Sequence, residues 1–390
     1  MNGVKLIAGT NDVCNIPMRP YDDIVCSFME VLSEYLMNDK KAKMYPDVIS
    51  LAFWCRRSNV VRMKKLYQGK LSRLGRGLAF HIAPANVPVN FAFSFLFSLL
   101  AGNANIVRIP SKYFPQVDII CQAIESTLAS FPDLFKRNAF VQYPSGHDAT
   151  KMFSAEADAR IIWGGDNTIE AIRSMPAKPR CVDISFADRY SVCIINGEKV
   201  LAADDIAIKK LAEGFYNDTF LMDQNACSSP QTVFWINDKK EARTRFWEAV
   251  YKVAEQKYIV QPASAVDKYV QLCEDAIDIE KMSGCMQQDN LLYRIEINAL
   301  PQDFTVCRGK CGYFYEYSLS NFEELYPLIN EKFQTLTYFG MDVDLLRNSV
   351  IENKFRGIDR IVPVGTAMDI GIIWDGYNVV EMLSRIVDFK

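Results

Sequence analysis

Residues 75–112 read GRGLAFHIAPANVPVNFAFSFLFSLLAGNANIVRIPSK. A short apolar run at 78–82 ends in the turn chemistry of Pro84, Asn86 and Pro88. An apolar stretch of helical length follows, then a second β-branched run at 105–109. Strand, turn, helix and strand in this order open a parallel sheet, because parallel neighbours need a crossover between them. The longest apolar stretch, 87–101, would rise only ~22 Å as a helix, short of a ~30 Å hydrocarbon core. It is therefore expected as a buried helix. Phe91, Phe93, Phe95 and Phe97 point all round such a helix, which indicates burial rather than an acyl tunnel. Gly102 suits the left-handed cap at its end.

Outward from this stretch the alternation continues. Strands are predicted at 139–142, 160–163 and 192–195, and helices near 89–100, 117–129, 148–155 and 167–174. The first seventy residues read mainly as helix, with a polar break at 38–43. Beyond residue 200 a second series is predicted: helix 204–216, strand 232–236, helix 239–257, strand 312–317, helix 321–332, strand 335–339 and a terminal helix. The expected fold class is α/β, with two α/β domains and a cofactor and catalytic cleft between them. The segments are a helical region 1–70, a dinucleotide-binding domain 71–198, a thiol-bearing domain 199–365, and a C-terminal segment 366–390 returning to the cleft. Asn196-Gly197 at a strand end marks the domain change.

The 390 residues include 44 basic and 47 acidic side chains, so no strong field draws the chain to nucleic acid. The N-terminus lacks the features of a secretory signal, and eleven cysteines, an odd number, show no regular framework. Reduced thiols and a cytoplasmic location are expected. With two histidines, His81 and His147, a histidine-rich metal site is excluded. Cys307 and Cys311 have no matching second pair, and no metal is expected.

Four segments carry chemistry. Asn86, at the carboxyl edge of a strand, reads either as an oxyanion donor or as a helix cap. Arg108, Ser111 and Lys112 follow the next strand and read as a phosphate site or as a solvated loop. Gly164-Gly165-Asp166 opens a helix, as a phosphate-approaching turn or an ordinary cap. Cys227, in DQNACSSPQ, lies in a polar loop between helix and strand, where a nucleophilic thiol is accessible. No GxGxxG fingerprint follows a strand, so a dinucleotide would bind by a variant mode.

In this order the segments HIAPANVPVNFAFSFLFSLLAGNANIVRIPSK, DARIIWGGDNTIEAIR, DQNACSSPQ and GIDRIVPVGTAMDIGIIWDG resemble the aldehyde dehydrogenase superfamily, in its LuxC-type acyl-CoA reductase branch. The resemblance runs from about Leu74 to Gly376. It implies that Cys227 is the nucleophile, with Asn86 and the Cys227 N–H as oxyanion donors. It places Arg108 against the adenosine ribose and the Gly164-Gly165-Asp166 turn at the pyrophosphate. Ser111 stands where NAD-type members carry an acid, and Lys112 follows. That exchange suits a 2′-phosphate and favours NADPH, with NADH the other candidate. His147 is placed in the nucleotide pocket or in a structural role.

Two departures shape the expected chemistry. Phe186 occupies the place of the glutamate that activates hydrolytic water in aldehyde-oxidising members, with Asp183 and Asp188 as nearby carboxylates. Gly309-Lys310-Cys311-Gly312 replaces the acid that holds the nicotinamide ribose. The implied reaction is NADPH-dependent reduction of a fatty acyl-CoA thioester to the aldehyde through an acyl-enzyme on Cys227. The alternatives are an aldehyde dehydrogenase (CoA-acylating or using an acyl-protein donor) and a non-catalytic partner in a multi-enzyme complex. The resemblance also suggests a homo-oligomer and an acyl-protein synthetase partner. It gives neither chain length nor pathway.

Overall fold

The computed structural model describes residues 3–67, 72–84, 87–278, 282–301, 303 and 306–390. They form two compact units: the chain up to Asp188 together with Ile370–Lys390, and Arg189–Asp369.

The first unit contains β1 (Lys5–Gly9), α1 (Asp23–Asn38), α2 (Pro46–Cys55), α3 (Arg57–Tyr67), β2 (Arg73–Gly75), β3 (Leu78–Ile82), α4 (Asn90–Leu100), β4 (Ala104–Arg108) and α5 (Pro115–Leu128). It continues with α6 (Pro132–Phe135), β5 (Asn138–Gln142), α7 (Ala149–Glu156), β6 (Ala159–Trp163), α8 (Asp166–Arg173) and β7 (Val182–Phe186). Six strands make one sheet in the order β1-β5-β4-β3-β6-β7. All its pairs are parallel except β1 on β5. The chain steps from β3 through β4 to β5, then crosses back to β6 and β7. The carboxyl ends of β3 and β6 therefore flank the switch point, where open sheets of this kind bind ligands.

Every residue of α4 after Asn90 is buried. Phe91 and Phe95 meet Phe140 of β5, while Phe28 of α1 and Trp54 of α2 cover Phe95, Phe93 and Phe97 from the other side. The N-terminal helices thus bury a helix that is apolar all round. Gly102 ends this crossover at φ +89°, and a Cβ there would lie 2.1 Å from the Met18 carbonyl oxygen.

The second unit contains β8 (Tyr190–Asn196), α9 (Gly197–Ala202), α10 (Asp205–Thr219), β9 (Pro230–Ile236), α11 (Lys240–Lys257) and α12 (Pro262–Asp278). It continues with β10 (Met282–Gln288), β11 (Leu292–Ile297), β12 (Tyr313–Leu319), β13 (Phe333–Phe339), α13 (Val343–Glu352) and β14 (Arg360–Pro363). The sheet order is β10-β11-β12-β9-β8-β13-β14, antiparallel only at β10. Separate apolar clusters cover its two faces. Because β8 pairs with β9 and β13, residues 196–200 fall inside this unit. The chain then rejoins the first unit through β15 (Ile373–Trp374), β16 (Tyr377–Asn378), α14 (Val379–Met382) and β17 (Ser384–Ile386), which pairs antiparallel with β2.

The expected helix at 321–332 is one 3-10 turn, Phe322–Leu325. Pro327 explains this: it has no N–H to donate and its ring crowds the preceding turn, so the i→i−4 ladder cannot run on through it. The terminal helix shrinks to the four residues of α14, and the chain continues as β17. A strand, β1, also lies within the region read mainly as helix. Among the described residues no helix is long and apolar enough to cross a membrane.

Candidate active site

In the second unit, a 3-10 turn after α10 leads into Asp223 and Gln224, both left-handed at φ 51° and 58°. A glutamine rarely adopts this conformation unless its surroundings fix it. Here the buried Gln224 Oε1 accepts from the N–H groups of Gly312 (2.8 Å) and Tyr313 (3.1 Å), and its Nε2 donates to the Tyr313 carbonyl at 3.1 Å. Gln231 Nε2 donates to the Gln224 carbonyl at 3.0 Å, and its Oε1 accepts from Gly309 N–H at 2.9 Å. The Ser191 hydroxyl donates to the Cys227 carbonyl at 2.6 Å. Cys227 is therefore exposed on a pinned turn at the amino-terminal edge of β8 and β9.

Other cysteines differ in environment. Burial pushes the thiols of Cys121, Cys193 and Cys307 up to about 12, and that of Cys55 higher still. Cys14 and Cys273 are exposed too, Cys14 in the loop after β1 and Cys273 within α12. Among the described residues, no group of three or more His, Cys, Asp or Glu is placed to hold a metal ion.

Asp218 of α10 supports the same region. It is fully buried and accepts from Gly365 N–H at 2.6 Å and Ala367 N–H at 2.9 Å. Burial raises its carboxyl to about 7, more than the two N–H groups lower it. The segment it holds places Met368 Sδ 3.5 Å from Ser228 Oγ, beside the thiol. Neither Asp218 nor the two glutamines was singled out from sequence. A helical Asp one residue before a Thr gives no periodic signal, and the glutamines act through backbone 80 or so residues away.

In the first unit, Arg108 ends β4. Its guanidinium lies 4.9 Å from the Tyr143 ring centre, and its buried Nε has no hydrogen-bond partner among the described residues. Ser111 Oγ reaches the Tyr143 carbonyl at 3.5 Å, and the His147 ring lies 5.5 Å from the Tyr143 ring. The structure thus brings Arg108, Ser111 and His147 around one tyrosine at the carboxyl edge. Lys112 is exposed and lies over Phe114. Gly165 caps α8, whose first residue is Asp166. Space within 4 Å of a Cβ at Gly165 is empty, while one at Gly164 would meet Thr168. Strands β4 and β6 flank β3, so their ends are about 10 Å apart at ~4.8 Å per strand spacing. Asn86 lies outside the described residues.

His81 has a different role. It is fully buried, and burial lowers its value to about 4, so it is neutral. The Asn105 amide oxygen can only accept, so His81 Nε2–H donates to it (3.0 Å); the neutral ring's Nδ1 then accepts from the Ser94 hydroxyl (2.8 Å), which accepts in turn from Trp163 Nε1 (3.1 Å). The ring is committed to a relay inside the sheet. Phe186 stacks on Trp163 at 3.9 Å, so that position is an aromatic wall. Asp183 is held bidentately by Arg160 at 2.6 and 2.7 Å.

A family model described as acyl-CoA reductase (LuxC) matches residues 57–386. Long-chain acyl-protein thioester reductases of Aliivibrio fischeri and Photorhabdus luminescens are each 22% identical to this chain. Both alignments cover 81% of it and 64% of the relative, so the chain spans just under two thirds of their length. Among solved structures, aldehyde dehydrogenase 21 of Physcomitrella patens superposes with a TM-score of 0.63 at 10% identity, covering 93% of this chain and 85% of that one. An oxidoreductase of Marinobacter aquaeolei gives 0.64 at 11%, covering 97% and 88%. At these identities the likeness is one of fold, that of the aldehyde dehydrogenases.

Proposed function

The chain belongs to the LuxC acyl-CoA reductase family, and from that premise we propose that it reduces a fatty acyl thioester to the aldehyde through an acyl-enzyme on Cys227. The observation that carries the reading is an exposed thiol on a turn whose backbone is fixed by buried glutamines. In this reading the Cys227 thiolate attacks the thioester carbonyl, and the thiol of the donor leaves. The Cys227 N–H and Asn86 hold the developing oxyanion. A reduced nicotinamide, when bound, would supply hydride to this carbonyl; the resulting alkoxide expels the Cys227 thiolate as the C–S bond breaks and the aldehyde is released.

The chain's own groups suit this cycle. Arg108 offers an unpartnered Nε–H, Gly165 leaves room for a phosphate, and Asp166 begins the helix whose free N–H groups attract one. Ser111 and Lys112 present a hydroxyl and a cation without a nearby acid in sequence, which favours NADPH over NADH. His147 lines the same nucleotide site. The aromatic pair Trp163–Phe186 supplies no carboxylate, and Asp183 is engaged by Arg160. Hydrolysis of the acyl-enzyme therefore lacks a base from these positions, and the thioester persists for reduction. The donor is an acyl-CoA, with the acyl-protein donor named for the relatives as the competing choice.

The test is acylation with radiolabelled acyl-CoA or acyl-protein, combined with oxidation of NADPH or NADH. Wild type should label and turn over, with NADPH preferred, and Cys227→Ala should lose both by at least ~10³-fold, the scale expected for loss of a covalent nucleophile. Labelling retained in Cys227→Ala would assign the nucleophile elsewhere. No labelling and no cofactor oxidation with any donor would refute the function.

A further inference from the structure

The first unit contains a cavity to which the steps above assign no role. It measures about 310 Å³ and is lined by Arg73, Arg76, Tyr377, Asn378, Glu381 and Met382, among others. Arg73 opens β2 and Arg76 directly follows it, and the other named residues come from β16 and α14. Arg73 Nε donates to Ser384 Oγ at 2.8 Å, and its Nη2 donates to the Glu381 and Ser384 carbonyls at 2.6 and 3.2 Å. Arg76 Nε donates to the Met382 carbonyl at 2.6 Å. Every one of these acceptors is neutral.

Capping carbonyls with arginines is ordinary stabilisation at a helix end. Here it uses only part of the donor set. Among the described residues, Nη1 of Arg73 and both Nη atoms of Arg76 have no protein acceptor, and no carboxylate pairs with either guanidinium. Glu381 stands at the rim without forming an ion pair to them. Partial burial first, then the charges of Arg73 and the exposed Arg180, lower the Arg76 value against the smaller opposing pull of Cys181, as expected of cations crowded without a paired carboxylate. An anion entering this cavity would relieve that repulsion and engage the free forks, the geometry in which arginine binds phosphate best.

The place of the cavity narrows the ligand. Tyr377, on its wall, meets Phe186 edge-on at 6.0 Å, and Phe186 stacks on Trp163, the residue before the Gly164-Gly165 turn. The cavity is thus linked through aromatic side chains to the turn assigned above to a nucleotide. We propose that Arg73 and Arg76 form a phosphoryl-binding pocket, taking the 3′-phosphate of a coenzyme A-type acyl donor. This rests on the reading of the chain as an acyl-thioester reductase. A 2′-phosphate on the cofactor is the other source of the same chemistry.

Two probes separate the sources without any turnover: adenosine 3′,5′-bisphosphate and adenosine 2′,5′-bisphosphate, followed by calorimetric titration. Arg76→Gln removes the free guanidinium donors. Asn378→Asp places a negative charge in the pocket while keeping the helix cap, because the Asn378 side chain caps α14 and Asp caps equally well. Both variants should weaken the 3′,5′-bisphosphate roughly 10- to 100-fold, the scale of a lost charge-assisted bond, and leave the 2′,5′-bisphosphate unchanged. If the 2′,5′-bisphosphate weakens instead, the pocket stands and its phosphate belongs to the cofactor. Equal affinity of all three proteins for both probes, or no binding of either to wild type, overturns the pocket. Should Arg76→Gln fail to fold, Asn378→Asp decides alone. Probe binding in a protein that never labels at Cys227 would refute the reductase reading and leave the pocket standing.

Discussion

What distinguishes Cys227 is the setting of the turn that carries it. Gln224 sits left-handed and buried, and its amide satisfies two backbone donors and one carbonyl of the chain entering β12. A carboxylate of the same shape would keep the acceptor and lose the donor, leaving the Tyr313 carbonyl without that bond. Gln224→Glu should therefore cost about 1–3 kcal/mol, the price of a buried group left unsatisfied, read as a shift in the denaturation midpoint. Because the turn carries Cys227, the acylation rate should fall by about an order of magnitude through misplacement alone, while a small-thiol reagent still reacts. Unchanged stability and acylation would mean that the glutamine is a bystander.

At the scale of elements, the α8 turn sets a glycine whose Cβ would meet Thr168 beside one with open space around it. Gly165 has φ −67°, which any residue adopts, and nothing lies where its Cβ would be. Gly165→Ala should leave stability within about 0.5 kcal/mol, as for an unstrained surface change, and should raise KM for the nucleotide several-fold with less effect on kcat. A melting curve and a KM determination check the two halves separately. An unchanged KM would move the pyrophosphate away from this turn. The β-α alternation around this turn was legible because β-branched runs and an all-apolar helix have distinct periods. β10 was not, since Met-Ser-Gly-Cys-Met-Gln-Gln alternates nothing and pairs only through β11. The false helix at 321–332 shows the converse, a good apolar spacing overruled by Pro327. Candidate site residues with reactive side chains, such as Cys227 and Arg108, announced themselves. Those acting through distant backbone, such as Asp218 and Gln231, did not, because long-range pairing leaves no local pattern.

Taken whole, the molecule has buried groups whose titration pulls its two units in opposite directions. In the first unit His81 is neutral when folded and lowered to about 4, against about 6.5 when unfolded. The unfolded chain binds the extra proton, so this unit loses stability as pH falls from about 6.5 toward 4. In the second unit Asp218 is raised to about 7, so the folded form holds the proton that an unfolded carboxylate, near 3.9, gives up. Its contribution is complete below that unfolded value and is lost as pH rises toward 7. Lys268, lowered to about 8, remains charged across this window. Each contribution is on the order of a few kcal/mol, enough to show in exchange protection. Hydrogen–deuterium exchange at pH 5 and pH 7, corrected for intrinsic rates, should therefore show β3 and β4 less protected at the lower pH. It should show α10 and the segment 363–369 less protected at the higher one. Asp218→Asn cannot ionise, and its amide can satisfy only one of the N–H groups of Gly365 and Ala367. The variant should start weaker at pH 5 by about 1–3 kcal/mol, and its protection over 363–369 should no longer fall toward pH 7. Retention of the wild-type pH slope in that variant would assign the titration to another group and remove Asp218 as the proton-holding anchor beside the thiol.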